Sequence, residues 1–309
     1  MTDIRTILHR TACDLSACGS PSPRLDAEVL LMHFLKTDRL QLCMHPERTL
    51  SEEEAAGFAR WVDRRRGGEP VAYIVGEKEF WSLLFKVNRE VLIPRPETEC
   101  LIEEVLGFYS PVGGDLRIID IGTGSGAIGV VLARELPTAR VAATDVSPGA
   151  LTVARRNAFV HGVAERMDFI QGDLFATVPG KFDLIVSNPP YIPADAYHLL
   201  PPGVREFEPQ AALIAGPDGA AFHREIIREG AGRLKGGGRI FLEIGAGQKE
   251  LVETLFRDEG AYGDIGFRKD YGGMDRVASA RIIRDRAPIF PRKIGALSLI
   301  MRFKRWTRS

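Results

Sequence analysis

The sequence predicts an α/β fold: a doubly wound, mostly parallel sheet covered by helices, preceded by a small helical domain and a β-hairpin linker. Three observations carry this prediction. The chain has 309 residues, more than the roughly 100 to 200 of one ordinary domain. Its first 66 residues repeat apolar positions at helical spacing. After Pro96, short apolar runs alternate with helical stretches, the texture of a parallel sheet with crossover helices. With 45% hydrophobic and 27% charged residues, the composition excludes a disordered, collagen-like or disulfide-stapled chain.

The elements follow in order. Ile4, Ile7, Leu8, Ala12 and Leu15 recur three and four residues apart, and Gly19 with Pro21 stops the run. Arg24 to Leu35 and Ser51 to Arg66 read as further helices, the latter opened by Ser51 and Glu54 in capping-box spacing. Between Pro70 and Ile93 the residues turn β-branched and aromatic (Val71, Tyr73, Ile74, Val75, then Phe80, Trp81, Phe85, Val87), broken by Gly76, which predicts a hairpin. Strands are expected at Arg117 to Ile121, Arg140 to Thr144, Asp168 to Gln171, Phe182 to Ser187 and Gly238 to Ile244. The expected divisions are a helical domain over 1–68, a hairpin linker over 69–93, an α/β domain over 94–280 and a tail over 281–309.

The most apolar stretch, Ile118 to Ala133, contains Asp120 and four glycines, and the apolar run Ile294 to Met301 is far shorter than the ~20 residues of a membrane span. Charged residues interrupt positions 1 to 15, so no signal-peptide core is expected and the cytoplasm is the default compartment. Cys13, Cys18, Cys43 and Cys100 match neither a CxxC pair nor a zinc ribbon; they are expected to be reduced and structural, with no metal site. The net charge of zero is unevenly spread. Residues 281–309 hold nine basic residues and one acid, net +8, while the other 280 carry 32 basic and 40 acidic, net −8. An acidic body is a poor match for bare nucleic acid, whose binding rests on phosphate neutralisation. The tail interleaves Leu297, Leu299, Ile300, Met301, Phe303 and Trp306 with basic residues, which reads either as a short amphipathic helix able to lie on RNA or an anionic membrane or as a disordered appendage whose charge aids solubility.

Chemistry concentrates at the predicted strand ends. Ile118 to Ile121 runs into Gly122-Thr123-Gly124-Ser125-Gly126, a glycine-rich turn entering a helix, where ligands meet backbone N–H groups. Gly124 to Gly129 also satisfies GxGxxG, by itself a weak signal for a dinucleotide. Asp120 tips the balance: an acid two residues before the first glycine repels a pyrophosphate but suits the amino group of an aminoacyl cofactor, which favours S-adenosylmethionine. Asp145, at the next strand end, is placed to accept ribose hydroxyls. Asp173 can accept from an adenine amino group, with Leu174 or Phe175 packing on the ring. The fourth strand ends in Asn188-Pro189-Pro190-Tyr191. Two prolines cannot continue a central strand, leaving carbonyls free for another donor. The Asn188 oxygen and the Pro189 carbonyl could together hold a planar NH2 group, with Tyr191 against the substrate. The expected cofactor contacts are therefore Asp120, Gly122, Thr123, Gly124, Ser125, Gly126, Asp145, Asp173 and Leu174, with Asn188 at the junction. The substrate contacts are Asn188, Pro189, Pro190 and Tyr191, of which Asn188 and Pro189 are catalytic.

These features resemble the amino-methyltransferases that alkylate nitrogen of adenine, guanine or glutamine. Arg65-Arg66-Gly67-Gly68-Glu69-Pro70-Val71-Ala72-Tyr73-Ile74, Leu92-Ile93-Pro94-Arg95-Pro96-Glu97-Thr98-Glu99 and Phe207-Glu208-Pro209 resemble one family among them, the protein-(glutamine-N5) methyltransferases of peptide chain release factors. The resemblance spans roughly residues 5 to 280. It implies a Rossmann-like S-adenosylmethionine domain, the glutamine of a Gly-Gly-Gln loop as target, and a helical domain that docks the release factor. Two features depart from the pattern: Leu174, where many relatives carry an aromatic residue, and the basic tail. Glu97 reads either as a pocket-closing residue or as a helix N-terminal acid, and His198 and His223 as ordinary surface or core histidines. The competing readings are a nucleic-acid amino-methyltransferase receiving a flipped base, an NAD-dependent oxidoreductase, which leaves Asn188 to Tyr191 unexplained, and a translation-factor binding module that has lost its chemistry, against which the intact glycine loop and Asn188 to Tyr191 speak.

Overall fold

A computed structural model of the chain describes residues 2–109 and 114–283. Contacts divide it into two compact units, the first formed by Met1–Glu77 with Pro201–Phe207 and the second by Lys78–Leu200 with the remainder.

The first unit is helical: α1 (Ile4–Ala17), α2 (Pro23–Leu35), α3 (Arg39–Met44), α4 (Glu52–Arg66) and α5 (Val71–Val75). Its core joins Ile4 and Leu15 of α1, Leu30 and Leu31 of α2, Phe58 and Val62 of α4, and Ile74 of α5. Ser51 and Glu54 form the expected capping box, each side chain bonding the other's backbone N–H. The end of α4 is pinned by arginines. Arg65 donates to the largely buried Asp26 at 2.8 Å, and Arg64 grips Glu69 with two hydrogen bonds of 2.8 and 2.9 Å.

One expected element is corrected here. Val71–Val75, read as strand, is helix, and Gly76 is its left-handed C-cap at φ 80° rather than a hairpin turn. Pro70 precedes the first helical residue, and burial of Tyr73 and Ile74 outweighs the β propensity of the valines and isoleucine. The hairpin is shorter than 69–93: β1 (Glu77–Phe80) and β2 (Leu83–Lys86) are joined by Trp81 and Ser82, both left-handed at φ 54° and 56°. This is the backbone of a two-residue primed turn. It is held by Trp81 N–H, which donates to Glu99 at 2.8 Å.

In the second unit the chain continues through α6 (Glu99–Tyr109), β3 (Arg117–Ile121), α7 (Ala127–Glu135), β4 (Arg140–Asp145), α8 (Pro148–Val160), β5 (Met167–Gln171) and β6 (Phe182–Ser187). After α9 (Pro202–Arg205), which falls in the returning segment of the first unit, come α10 (Ala221–Arg233), β7 (Leu234–Glu243), α11 (Lys249–Glu259), β8 (Tyr262–Lys269) and β9 (Asp275–Ile282). The seven strands lie in the order β5-β4-β3-β6-β7-β9-β8. The first five are parallel; β9 runs antiparallel to β7 and β8. One face packs on α6 and α7, the other on α10 and α11, so the sheet is doubly wound as expected. The α/β unit runs past residue 280: Arg281 and Ile282 pair within β9, and Ile283 N–H bonds the Ala261 carbonyl. The amphipathic tail segment and its expected RNA or membrane contacts fall within 284–309, outside the described residues.

Cys100 is buried, while Cys13, Cys18 and Cys43 are exposed. All four are free, so a structural role fits Cys100 alone; Cys13 and Cys43 lie on outward helix surfaces and Cys18 in the turn that ends α1. Among the described residues no helix is long and apolar enough to cross a membrane, and no three His, Cys, Asp or Glu side chains are grouped to hold a metal.

Candidate active site at the strand switch point

The chain order reverses between β3 and β6: β4 and β5 lie on one side of β3, and β6 and β7 on the other. In open α/β sheets ligands bind at such a switch point, outside the carboxyl ends of the strands. Strand register places the motifs together there. Ile121 pairs with Ser187 on one side and Thr144 on the other, so the glycine loop after Ile121 lies between Asn188 and Asp145. Asp145 pairs with Gln171, which brings Gly172 to Leu174 alongside. A cavity of about 380 Å³ opens at this edge, within the range of small-molecule sites.

Asp120 lies beneath the loop. The pleat of β3 directs Ile118 and Asp120 toward α7 while Ile119 and Ile121 face the other core. Asp120 is fully buried, and burial pushes its carboxyl up to about 6. Its Oδ2 accepts from the Thr123 hydroxyl at 2.6 Å and from Gly129 N–H at 3.1 Å, while Oδ1 has no protein donor. The GxGxxG spacing thereby gains a packing explanation. A Cβ on Gly129 would lie 3.0 Å from Asp120 Oδ2, and one on Gly126, at φ 82°, would lie 3.1 Å from the Ala154 Cβ. Both glycines let α7 approach its neighbours.

Asp145 is largely buried, and its pKa is raised by that burial. One oxygen accepts from Gly124 N–H and the other from Ser147 N–H, each at 2.9 Å. A carboxylate has about four acceptor positions, so each oxygen retains capacity for a further donor. At the β5 end Leu174 lines the cavity in a left-handed conformation, φ 50°. Phe175 is fully buried in the core with Arg233 over its ring at 5.8 Å, so of the two candidates only Leu174 is presented to a ligand.

On the far side of the switch point, the Asn188 Nδ2 donates to the Thr98 hydroxyl at 3.1 Å, and that hydroxyl donates to Glu243 Oε2 at 2.6 Å. Glu243 is buried at the end of β7, where Leu242 pairs with Ser187 and so sets Glu243 level with Asn188. Burial pushes its carboxyl up to about 7. Thr98 closes the turn before α6, in the Pro94 to Thr98 segment that also supplies Arg95 to the cavity wall. Glu208 braces this segment, accepting from Arg95 at 2.5 Å and from Ile93 N–H at 3.2 Å. Two stretches quoted above for their family resemblance thus meet.

Of the expected site residues, Gly122, Thr123, Gly124, Ser125, Asp145, Asp173, Leu174, Asn188, Pro189 and Pro190 line the cavity. Asp120 and Gly126 support it from below. Tyr191 does not line it: its hydroxyl turns to Glu243 at 3.5 Å, and burial pushes its phenol up to about 12. Glu97 is exposed and outside the wall, in the turn that opens α6. His223 is buried with Nε2 at 2.8 Å from the Glu243 carbonyl, and desolvation pushes it down to about 4, a neutral core histidine. His198 is exposed. Sequence reading missed Thr98 and Glu243, and also Phe222 and Ile226 of α10, which line the cavity.

A glycine loop and acidic strand end on one side of a switch point, with an oriented asparagine amide on the other, define an α/β domain of the methyltransferase class. Comparison with known proteins agrees. Residues 107–199 match the methyltransferase small domain, and residues 6–76 match the PrmC N-terminal domain. The release factor glutamine methyltransferase of Moorella thermoacetica is 45% identical over 274 residues, 88% of this chain and 96% of that one. That of Aliivibrio fischeri is 40% identical over 284 residues, 91% and 98% of the two chains. The chain belongs to the release factor glutamine methyltransferase family. Its fold is similar to the T. thermophilus 16S rRNA N2 G1207 methyltransferase, solved in complex with AdoMet and guanosine, with a TM-score of 0.50 at 19% identity over 67% of this chain and 50% of that chain.

Proposed function

We propose that this protein transfers a methyl group from S-adenosylmethionine to the side-chain N5 nitrogen of the glutamine in the Gly-Gly-Gln loop of peptide chain release factors. The observation that carries the chemistry is the orientation of Asn188. Because the Thr98 hydroxyl gives its proton to Glu243, it can only accept from Asn188, so the amide NH2 faces Thr98 and Oδ1 is left toward the cavity.

The cavity suits the cofactor. Asp120 Oδ1 is a buried carboxylate oxygen without a protein donor, the feature an aminoacyl ammonium would complete. Asp145 has acceptor capacity for ribose hydroxyls. Asp173 and Leu174 line the same cavity, which supports reading the first as an acceptor for the adenine amino group and the second as packing on its ring. When bound, S-adenosylmethionine supplies a methyl group on a good leaving group.

The chain's own residues bind and orient the amide. A glutamine NH2 is a weak nucleophile because its lone pair is delocalised into the carbonyl, the resonance behind the ~18–20 kcal/mol rotation barrier of a peptide bond. Asn188 Oδ1 and the Pro189 carbonyl accept its two hydrogens, favouring a pyramidal nitrogen with the lone pair aimed at the methyl group. Positioning and hydrogen bonds that strengthen in the transition state do the catalysis. With the cofactor bound, methyl transfer to the held nitrogen would leave that nitrogen strongly acidic, and its extra proton would pass to solvent. No general base is assigned. The helical domain, matched to the family's N-terminal domain, docks the release factor.

Incubation with radiolabelled S-adenosylmethionine and, separately, purified release factor, RNA and DNA tests this. Label should enter the release factor alone and disappear when its Gly-Gly-Gln glutamine is replaced by alanine. Label in RNA or DNA in place of protein would favour the nucleic-acid reading.

A further inference from the structure

We infer that Thr98 and Glu243 form a positioning pair that locks the Asn188 amide with its oxygen toward the substrate, so that methyl transfer depends on a hydroxyl that never touches the reacting atoms. The inference rests on the proposed role of Asn188 as the acceptor for the substrate NH2.

An asparagine amide is nearly symmetric in shape, and its two orientations present opposite hydrogen-bonding character. With oxygen inward it accepts from an NH2 group; flipped, it presents two donors to the same group and repels it. Something must choose between them, and the neighbour that does so is Thr98, which lines the cavity beside Asn188. Thr98 is buried, with one proton to give, and the Glu243 carboxylate at 2.6 Å is the nearer acceptor for it and the charged one. Once given, that proton leaves the Thr98 oxygen only as an acceptor, and the group 3.1 Å away must be the Asn188 NH2. Three elements far apart in sequence supply the chain: the turn before α6, the end of β6 and the end of β7.

The lock needs Glu243 ionised. A protonated Glu243 could donate to Thr98, which would release the hydroxyl proton toward Asn188 and stabilise the flipped amide. The charged and titratable groups around Glu243 are Glu97 from the turn before α6, Tyr191 after β6, His223 of α10 through its bond to the Glu243 carbonyl, and Arg276 of β9, itself paired with Asp270. Burial, the largest effect, and Glu97 oppose the ionised form; the Thr98 hydrogen bond, the Arg276 charge and the Tyr191 hydrogen bond favour it. The balance holds this carboxyl near neutrality, so the lock weakens as the solution is acidified.

The test compares Thr98→Val, which keeps the shape and removes the hydroxyl, with Thr98→Ser, which keeps the hydroxyl. Single-turnover methyl transfer to a release factor is measured beside calorimetric S-adenosylmethionine affinity. Thr98→Val should slow transfer about 10- to 100-fold, in line with the cost of a misplaced reacting group, with affinity within about threefold; Thr98→Ser should restore most of the rate. A Thr98→Val rate equal to wild type, with Asn188→Ala inactive, would overturn the pair while leaving the function intact. An equal loss in both Thr98 variants would also overturn it. An active Asn188→Ala would instead remove the reading on which the pair rests. Should Thr98→Val not fold, the pH profile decides: the wild-type rate should fall toward acid with an inflection near neutrality, and Glu243→Gln should lack that inflection. A profile unchanged by Glu243→Gln would contradict the inference.

Discussion

Replacing Glu243 by glutamine should change not only the level of stability but its dependence on pH. The folded protein holds the Glu243 proton tightly, with a pKa pushed by burial to about 7, whereas the unfolded chain releases it near the ordinary 4.5. Below pH 4.5 both states are protonated and the group's full stabilisation is present. As pH rises from 4.5 toward 7 the unfolded chain ionises first, so stability falls, and above about 7 the loss is complete. The gap of about 2.5 between the two pKa values, at about 1.4 kcal/mol each, gives roughly 3 kcal/mol in total. Most of it is crossed between pH 5 and pH 8. Asp120 also has a pKa raised by burial, to about 6, but it is present in both proteins and cancels in the difference. Glutamine keeps an oxygen for Thr98 and cannot titrate, so Glu243→Gln should gain about 2 to 3 kcal/mol relative to wild type on going from pH 5 to pH 8. Urea unfolding of both proteins across that range measures it. A difference that does not vary with pH would mean that Glu243 is ionised throughout and that the Thr98 hydrogen bond and the Arg276 charge together outweigh burial.

Two further outcomes concern residues that pack around the glycine loop, Asp145 at the end of β4 and Gly129 in α7. Asp145→Ala should weaken S-adenosylmethionine by about 1–3 kcal/mol, since a charged acceptor for ribose is lost together with the tethers on Gly124 and Ser147; unchanged calorimetric affinity would place the ribose elsewhere. Gly129→Ala puts a methyl 3.0 Å from both Asp120 Oδ2 and the Met167 Cε, an overpacking worth about 1–3 kcal/mol against up to ~1 kcal/mol of helix propensity gained. Thermal unfolding should show net destabilisation, and a stabilised variant would show that the helix can shift without cost.

The legible parts of the molecule were those encoded by local pattern. Arg117–Ile121 and Phe182–Ser187 are short apolar runs bounded by turn residues, and their predicted limits coincide with the observed strands. The glycine loop, Asp145, Leu174 and Asn188 were visible because each stands at the end of such a run. Val71–Val75 misled because β-branched residues favour strands while burial in a helical bundle decides otherwise. The turn at Trp81 and Ser82 carries none of the glycine or asparagine that marks primed turns. β8 was hidden by its charged residues and two glycines, since it pairs on one edge only. Thr98 and Glu243 could not be found by local pattern, because 145 positions separate them and only the β6–β7 register brings Glu243 beside Asn188. A threonine before a helix and a glutamate ending a strand carry no signal until the sheet order is known.

The most direct test of the account is the effect of Asn188→Ala on methyl transfer, measured in single turnover on a release factor and set against S-adenosylmethionine affinity in the same preparation. If the Asn188 oxygen holds the substrate amide, the variant should bind the cofactor within a few fold of wild type and leave the Gly-Gly-Gln glutamine unmethylated. Transfer at the wild-type rate would contradict the assignment of Asn188 and the chemistry built on it.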